Sequence, residues 1–225
     1  SGAEESQLEM LKKLELGEEV HRQLMEACRD REIDFLSTPF DSESVELLTG
    51  RLGLKRLKSA SGELTNAPLL LQMARSGASI ILSTGMSTLE EVRVALGVLA
   101  FGFLFSGKTP SRENFKEAFA SDEGQRILKE KVTLLHCTTE YTAPFAEVNL
   151  RVLETLRRTF ALPVGLSDHT PGISIPIAAA ALGTSVLEKH FTLDRNLPGP
   201  DHLASLEPEE LKQMATSIRE VEAAL

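Results

Sequence analysis

Six short stretches of the chain carry side chains able to do chemistry, and each follows an aliphatic run. They are Ser37-Thr38-Pro39-Phe40, Lys58-Ser59-Ala60-Ser61-Gly62-Glu63, Ser83-Thr84-Gly85-Met86, His136-Cys137-Thr138-Thr139-Glu140-Tyr141, Ser167-Asp168-His169-Thr170 and Glu188-Lys189-His190-Phe191. A single serine in such a place is ordinarily a turn former or helix cap. Several hydroxyls gathered beside Lys58 instead suit a phosphate or carboxylate, because neutral donors then share the anion's charge with one cation. His169 and His190 fall about twenty residues apart, each a residue or so past the end of successive runs. Neighbouring strands lie about 4.8 Å apart, so two such imidazoles can converge on one divalent ion whose shell water completes. Hydrogen-bonded histidines without a metal are the competing reading. The chemistry this pattern supports is metal-assisted activation of a carbonyl next to a bound anion.

The remaining candidates are weaker. His136 is expected on the floor of the site, and His21, on an opening helix, is expected to be solvated. The loop Asp194-Arg195-Asn196-Leu197-Pro198-Gly199-Pro200-Asp201-His202 is stiffened by its prolines, which is useful for presenting Asp201; a purely structural turn accounts for it equally well. His202 is either a substrate contact or part of that turn. Cys137 lacks a base-and-orienter arrangement and reads as a small buried strand residue.

Positioning these groups requires alternating strands and helices. Short aliphatic runs predict strands over Ile33–Ser37, Leu54–Ser59, Ser79–Ser83, Val132–His136, Leu162–Leu166 and Thr184–Glu188. Amphipathic segments predict helices over Ser6–Asp30, Asp41–Leu52, Asn66–Ser76, Met86–Phe103, Val148–Thr159, Ser174–Leu182 and Pro208–Ala224. Pro68 falls in a first turn, where its missing N–H does no harm, and Ser87-Thr88-Leu89-Glu90 is a capping-box pattern. Strand–helix alternation implies parallel pairing, and continuous apolar runs imply strands covered on both faces. An open doubly wound sheet lacks its best marker, since no G-x-G-x-x-G follows a strand. Polar residues at the carboxyl end of all six runs instead suit a (β/α) barrel, whose site is built from those ends. The segment Ser106–Lys131 is too long and too charged for an ordinary connection. It reads as a rim insertion with a helix near Arg112–Ala120, either a solvated excursion or a lid or partner surface.

Composition narrows the function classes. The 225 residues carry 33 acidic and 24 basic side chains, a net charge of −9. That balance argues against binding a nucleic-acid backbone, which calls for a basic face. No run approaches the roughly 20 apolar residues of a membrane span, and no secretory signal is visible at the polar start. Two cysteines, Cys28 and Cys137, are too few for a disulfide framework and suit a reducing, cytoplasmic compartment.

Taken in order, the motifs Phe35-Leu36-Ser37-Thr38-Pro39-Phe40, Lys58-Ser59-Ala60-Ser61-Gly62-Glu63, Ile81-Leu82-Ser83-Thr84-Gly85-Met86, Leu135-His136-Cys137-Thr138, Gly165-Leu166-Ser167-Asp168-His169-Thr170, Leu187-Glu188-Lys189-His190-Phe191-Thr192 and Pro198-Gly199-Pro200-Asp201 resemble the sialic acid synthase family, and its bacterial sialic and legionaminic acid branch in particular. The resemblance implies a (β/α)8 TIM barrel, with six of its eight strands present, that condenses phosphoenolpyruvate with an N-acyl mannosamine-type sugar. By motif position, Thr38, Lys58, Ser61, Ser83 and Ser167 hold phosphoenolpyruvate, and Thr139 stands where many members carry Asn for that purpose. His169 and His190 carry Mn²⁺, or another divalent metal, and act with Glu63 in catalysis; Glu63, Tyr141 and Asp201 face the sugar. The family's shared sites imply a homodimer. The family's opening Glu-Ile-Gly segment, its Lys-x-Gln strand and its small C-terminal antifreeze-like domain have no counterpart here. Residues 1–225 therefore read as the central and C-terminal part of the catalytic barrel. Two rivals are kept: a non-catalytic barrel fragment serving assembly or regulation, and a related synthase that joins phosphoenolpyruvate to an aldose phosphate. The latter needs a second basic cluster, for which Lys189 and Arg195 are the only material.

Overall fold

A computed structural model describes residues 12–199 and 201–225. Pro200 and residues 6–11 of the expected opening helix lie outside the described residues. The rest of that helix is interrupted: residues 12–14 are helical, 15–17 are not, and helix α1 spans Glu18–Arg29.

Five strands form one sheet: β1 (Arg56–Ser59), β2 (Ser79–Ser83), β3 (Val132–Cys137), β4 (Val164–Asp168) and β5 (Leu187–Lys189). Every neighbouring pair is parallel, and strand order equals chain order. A doubly wound sheet reverses its order at a switch point; this one advances in a single direction, as a barrel wall does. The helices are α2 (Ser42–Glu46), α3 (Ala67–Arg75), α4 (Leu89–Leu104), α5 (Arg112–Ala120), α6 (Asp122–Lys131), α7 (Val152–Phe160), α8 (Ser174–Ala181) and α9 (Pro208–Ala224). Local chemistry starts them where expected. Asp41 accepts from the Ser44 N–H at 2.7 Å, and Asn66 from the Leu69 N–H at 3.3 Å. The capping box forms one residue later than predicted, between Thr88 and Glu91.

The sixth expected strand does not form. Residues 33–37 are irregular, Ile33 is 59% exposed and the Ile33 N–H turns back to the Cys28 carbonyl at 3.0 Å. A strand needs a neighbour for its ladder, and among the described residues β1 pairs only with β2.

Alternation along each strand divides the sheet into two environments. Leu57, Ile80, Leu82, Leu134, Val164 and Leu166 join Leu70, Met73, Leu96, Leu99, Leu156 and Phe160 of the helices in one buried core. The intervening positions face the other way, and at the carboxyl ends these are polar.

Residues 106–131 form the helix pair α5–α6, which packs on α4. The Phe115 ring meets Phe101 edge-on at 5.3 Å, and Ala118 and Leu128 are buried. Gly97 permits the contact, since a Cβ there would lie 2.8 Å from the Phe115 carbonyl oxygen. Helix α6 runs directly into β3 at its amino end, opposite the end where the polar groups gather.

Candidate active site

At the end of β1, Lys58 is buried on the side of the sheet away from the core, and the chain then turns through Ser61–Glu63. The Ser61 hydroxyl accepts from the Gly85 N–H at 3.0 Å, tying the loops after β1 and β2 together. Glycine at residue 85 allows this close approach: a Cβ would stand 2.8 Å from both Ser61 Oγ and Thr139 Cγ2, and one or both would have to shift. Ser83 is 2% exposed and its hydroxyl has no hydrogen-bond partner. A buried polar group without a partner is rare and calls for an explanation. Ser167 donates to Glu188 Oε1 at 2.6 Å, and Lys58 Nζ lies 3.5 Å from the same oxygen.

His169 and His190 flank this cluster, their ring centroids 5.3 Å apart at 75°. Tyr141 stacks on His169 at 4.1 Å and 26° and meets His190 edge-on at 5.2 Å. His169 Nδ1 lies 2.5 Å from the Thr138 carbonyl. A carbonyl only accepts, so Nδ1 carries the proton and Nε2 keeps its lone pair. Burial holds the His169 pKa below the ordinary histidine value, opposed by the Thr138 contact and reinforced by His190. A neutral imidazole anchored through its other nitrogen is how metal-binding histidines are prepared. Burial likewise pushes the Tyr141 phenol and the Cys137 thiol up, so Cys137, 3.9 Å from His169 Nδ1, stays a thiol near neutral pH. Among the described residues no group of three or more His, Cys, Asp or Glu is arranged to hold a metal. The protein donors on offer are therefore the two imidazoles, with Asp201 Oδ2 3.7 Å from His190 Nδ1.

Lys58, Ser61, Ser83, Thr139, Tyr141, Ser167, His169 and His190 thus line one cavity of about 320 Å³. Thr38, Glu63 and Asp201 are not in its wall. Thr38 sits in the irregular segment, Glu63 accepts from Asn66 Nδ2 at 2.7 Å, and Asp201 is half-exposed beside His190. His136 does not form the floor: it alternates to the other face and donates from Nε2 to the Val148 carbonyl at 2.6 Å. His21 is buried rather than solvated, with Nδ1 3.0 Å from the Gly17 carbonyl and Phe35 against its ring. His202 Nδ1 contacts Thr192 Oγ1 at 2.7 Å within its loop. Glu188, Cys137 and Met86 also line the cavity without having been singled out as site residues. For Glu188 the signal was available, since alternation puts it on the same face as His190 and opposite Lys189.

The whole chain, residues 1–225, matches the NeuB family. It is 49% identical over 222 residues to the N,N'-diacetyllegionaminic acid synthase of Campylobacter jejuni, covering 99% of this chain and 59% of that protein. The synthase of the same name from Legionella pneumophila is 45% identical over 220 residues, or 98% of this chain and 56% of that protein. The chain therefore spans a little under three-fifths of the length of these curated relatives. The crystal structure of the N-acetylneuraminic acid synthetase of Leptospira borgpetersenii, solved with citrate, matches with a TM-score of 0.79 at 31% identity, over 95% of this chain and 65% of that one. Sheet order, site composition and these likenesses agree, and the chain belongs to the NeuB family.

Proposed function

We propose that the chain is the substrate-binding part of a (β/α)8 barrel synthase that joins phosphoenolpyruvate to an N-acyl mannosamine-type sugar, releasing phosphate and a nine-carbon sialic or legionaminic-type acid. The observation that carries this reading is the single cavity in which Lys58, Ser61, Ser83 and Ser167 stand opposite His169, His190 and Tyr141. The hydroxyls and Lys58 supply the donors for phosphoenolpyruvate, and the unpartnered Ser83 hydroxyl is a donor held in reserve for it. Thr139 extends that wall, and Thr38 completes it if the segment before β1 closes over the mouth. C3 of phosphoenolpyruvate attacks the open-chain aldehyde, water adds at C2, and phosphate leaves with C–O cleavage.

His169 and His190 would hold a divalent ion, Mn²⁺ in this reading, His169 through Nε2, which the Thr138 contact and burial leave unprotonated. When bound, such an ion polarises the aldehyde carbonyl. Tyr141, stacked on His169, offers a flat face and a phenol to the sugar, and Asp201 and Glu63 lie just outside the cavity wall on its rim. A cytoplasmic homodimer is part of the same proposal. No helix among the described residues is long and apolar enough to cross a membrane.

The test is phosphate release from phosphoenolpyruvate by the intact protein, with Mn²⁺ and a panel of N-acyl mannosamines. Release with one sugar, abolished by a chelator, is the expected result. Absence of release with every sugar, or release indifferent to the chelator, overturns the reaction or the metal respectively.

A further inference from the structure

On the other face of the sheet, behind the two imidazoles, lies a buried ion pair with no contact to the cavity. Lys189 Nζ is 2.6 Å from Asp168 Oδ2, and the two side chains are 3% and 1% exposed. Every remaining polar atom is engaged. The Thr170 N–H and hydroxyl each donate to the Asp168 carboxylate at 3.1 Å, and the Lys189 ammonium also donates to the Thr170 carbonyl. Desolvating two charges is costly, and a well-packed apolar pair often serves stability as well or better. The question is then what this pair holds in place.

Its position answers that. Asp168 and Lys189 are the last register pair of β4 and β5. The very next residue on each strand is a cavity histidine, His169 or His190, beyond the point where ladder bonds fix the spacing of the two chains. Lys189 grips the residue before His169 and the residue after it, and is itself the residue before His190. Alternation points the pair toward the helices and the imidazoles toward the cavity. We propose that the Asp168–Lys189 pair is the positioning element that sets the separation of His169 and His190, and through it the affinity of the site for a divalent cation, without touching that cation. The inference rests on the metal reading above.

A purely electrostatic role makes the opposite forecast. Removing the Lys189 charge leaves an extra carboxylate near the site and should tighten a cation; loss of positioning should loosen it. The experiment is Mn²⁺ binding to the intact protein by calorimetry, for wild type, Lys189→Met and the double variant Asp168→Asn/Lys189→Met. Circular dichroism and metal-free phosphoenolpyruvate binding serve as the folding readouts. The expected result is Mn²⁺ affinity at least about tenfold weaker in both variants, the range found for groups that orient metal ligands, together with an altered Co²⁺ absorption spectrum. If Lys189→Met does not fold, the double variant, which buries no unpaired charge, is read by the same criterion. Folded variants that bind Mn²⁺ as tightly as wild type, or more tightly, overturn the positioning role alone. A wild type that binds no Mn²⁺ overturns the metal reading and this inference with it.

Discussion

Ser167 donates its hydroxyl hydrogen to Glu188 at 2.6 Å, and the accepting oxygen lies 3.5 Å from Lys58 Nζ. Two of the groups proposed for phosphoenolpyruvate are therefore already engaged by a carboxylate of the protein's own. An entering anion must displace that carboxylate or be repelled by it. Glu188→Gln removes the competing charge and is expected to tighten binding of inorganic phosphate or phosphoenolpyruvate in metal-free protein severalfold, measured by calorimetry. Weaker binding would show that Glu188 contacts the ligand directly.

Lys58 and Ser83 separate by the size of their effects on binding. Lys58→Met should weaken phosphoenolpyruvate binding about 10- to 100-fold, the worth of a hydrogen bond to a charged group at about 1.5–3 kcal/mol. Ser83→Ala should weaken it too, by less, yet leave the thermal midpoint of the unliganded protein unchanged or raised, because the buried hydroxyl has no partner to lose. A clear fall in that midpoint would mean that Ser83 has a structural partner.

The approach of β4 to β5 depends on Gly165. A Cβ there would lie 2.2 Å from the Val186 carbonyl oxygen and 2.6 Å from Leu135 Cδ2. That carbonyl accepts the Leu166 N–H at 3.0 Å, so the backbone cannot yield without losing a ladder bond. Gly165→Ala should cost about 1–3 kcal/mol, as overpacking does, and should separate His169 from His190. Thermal denaturation and Mn²⁺ titration of the same sample read both effects.

Burial also depresses the His136 pKa, with its bond to the Val148 carbonyl acting in the opposite direction. Between that lowered native value and the ordinary value near 6.5, the unfolded chain binds more protons than the native one. Stability therefore rises with pH in this window: the contribution is complete above about 6.5 and is lost as pH falls from there through the lowered native value. His169 adds to the slope in metal-free protein. Urea midpoints at pH 7.5 and 5.5 should differ in that sense, and His136→Gln should reduce the difference; an unchanged difference would assign it elsewhere.

Much of this architecture is legible in the sequence because a buried parallel strand is an aliphatic run that ends where the solvent or a ligand begins. β2 falls where its run predicts, β3 runs one residue further, and helices Arg112–Ala120 and Pro208–Ala224 coincide with their periodic segments. The errors come from contacts that local pattern does not encode. Ile33–Ser37 has strand composition, but a strand exists only with a neighbour. His136 and His21 are placed by carbonyls of Val148 and Gly17, which residue type alone does not reveal. Lys189, which the sequence offers as material for a second basic cluster, is instead committed to Asp168 once β4 lies beside it. The convergence of Lys58, Ser83 and the two histidines on one cavity followed from strand ends sharing one edge, and that is why it could be anticipated.

The order β1-β2-β3-β4-β5 has a kinetic corollary. Each strand bonds to the one that precedes it in the chain, so no ladder skips a strand: three close over one helical connection, and β2–β3 closes over α4, α5 and α6. Such sequence-local contacts lower the entropic barrier to assembly. The wall can grow unit by unit as the polypeptide emerges, and each new unit adds its own chemical group to the mouth: Lys58, then Ser83, then Cys137, then His169, then His190.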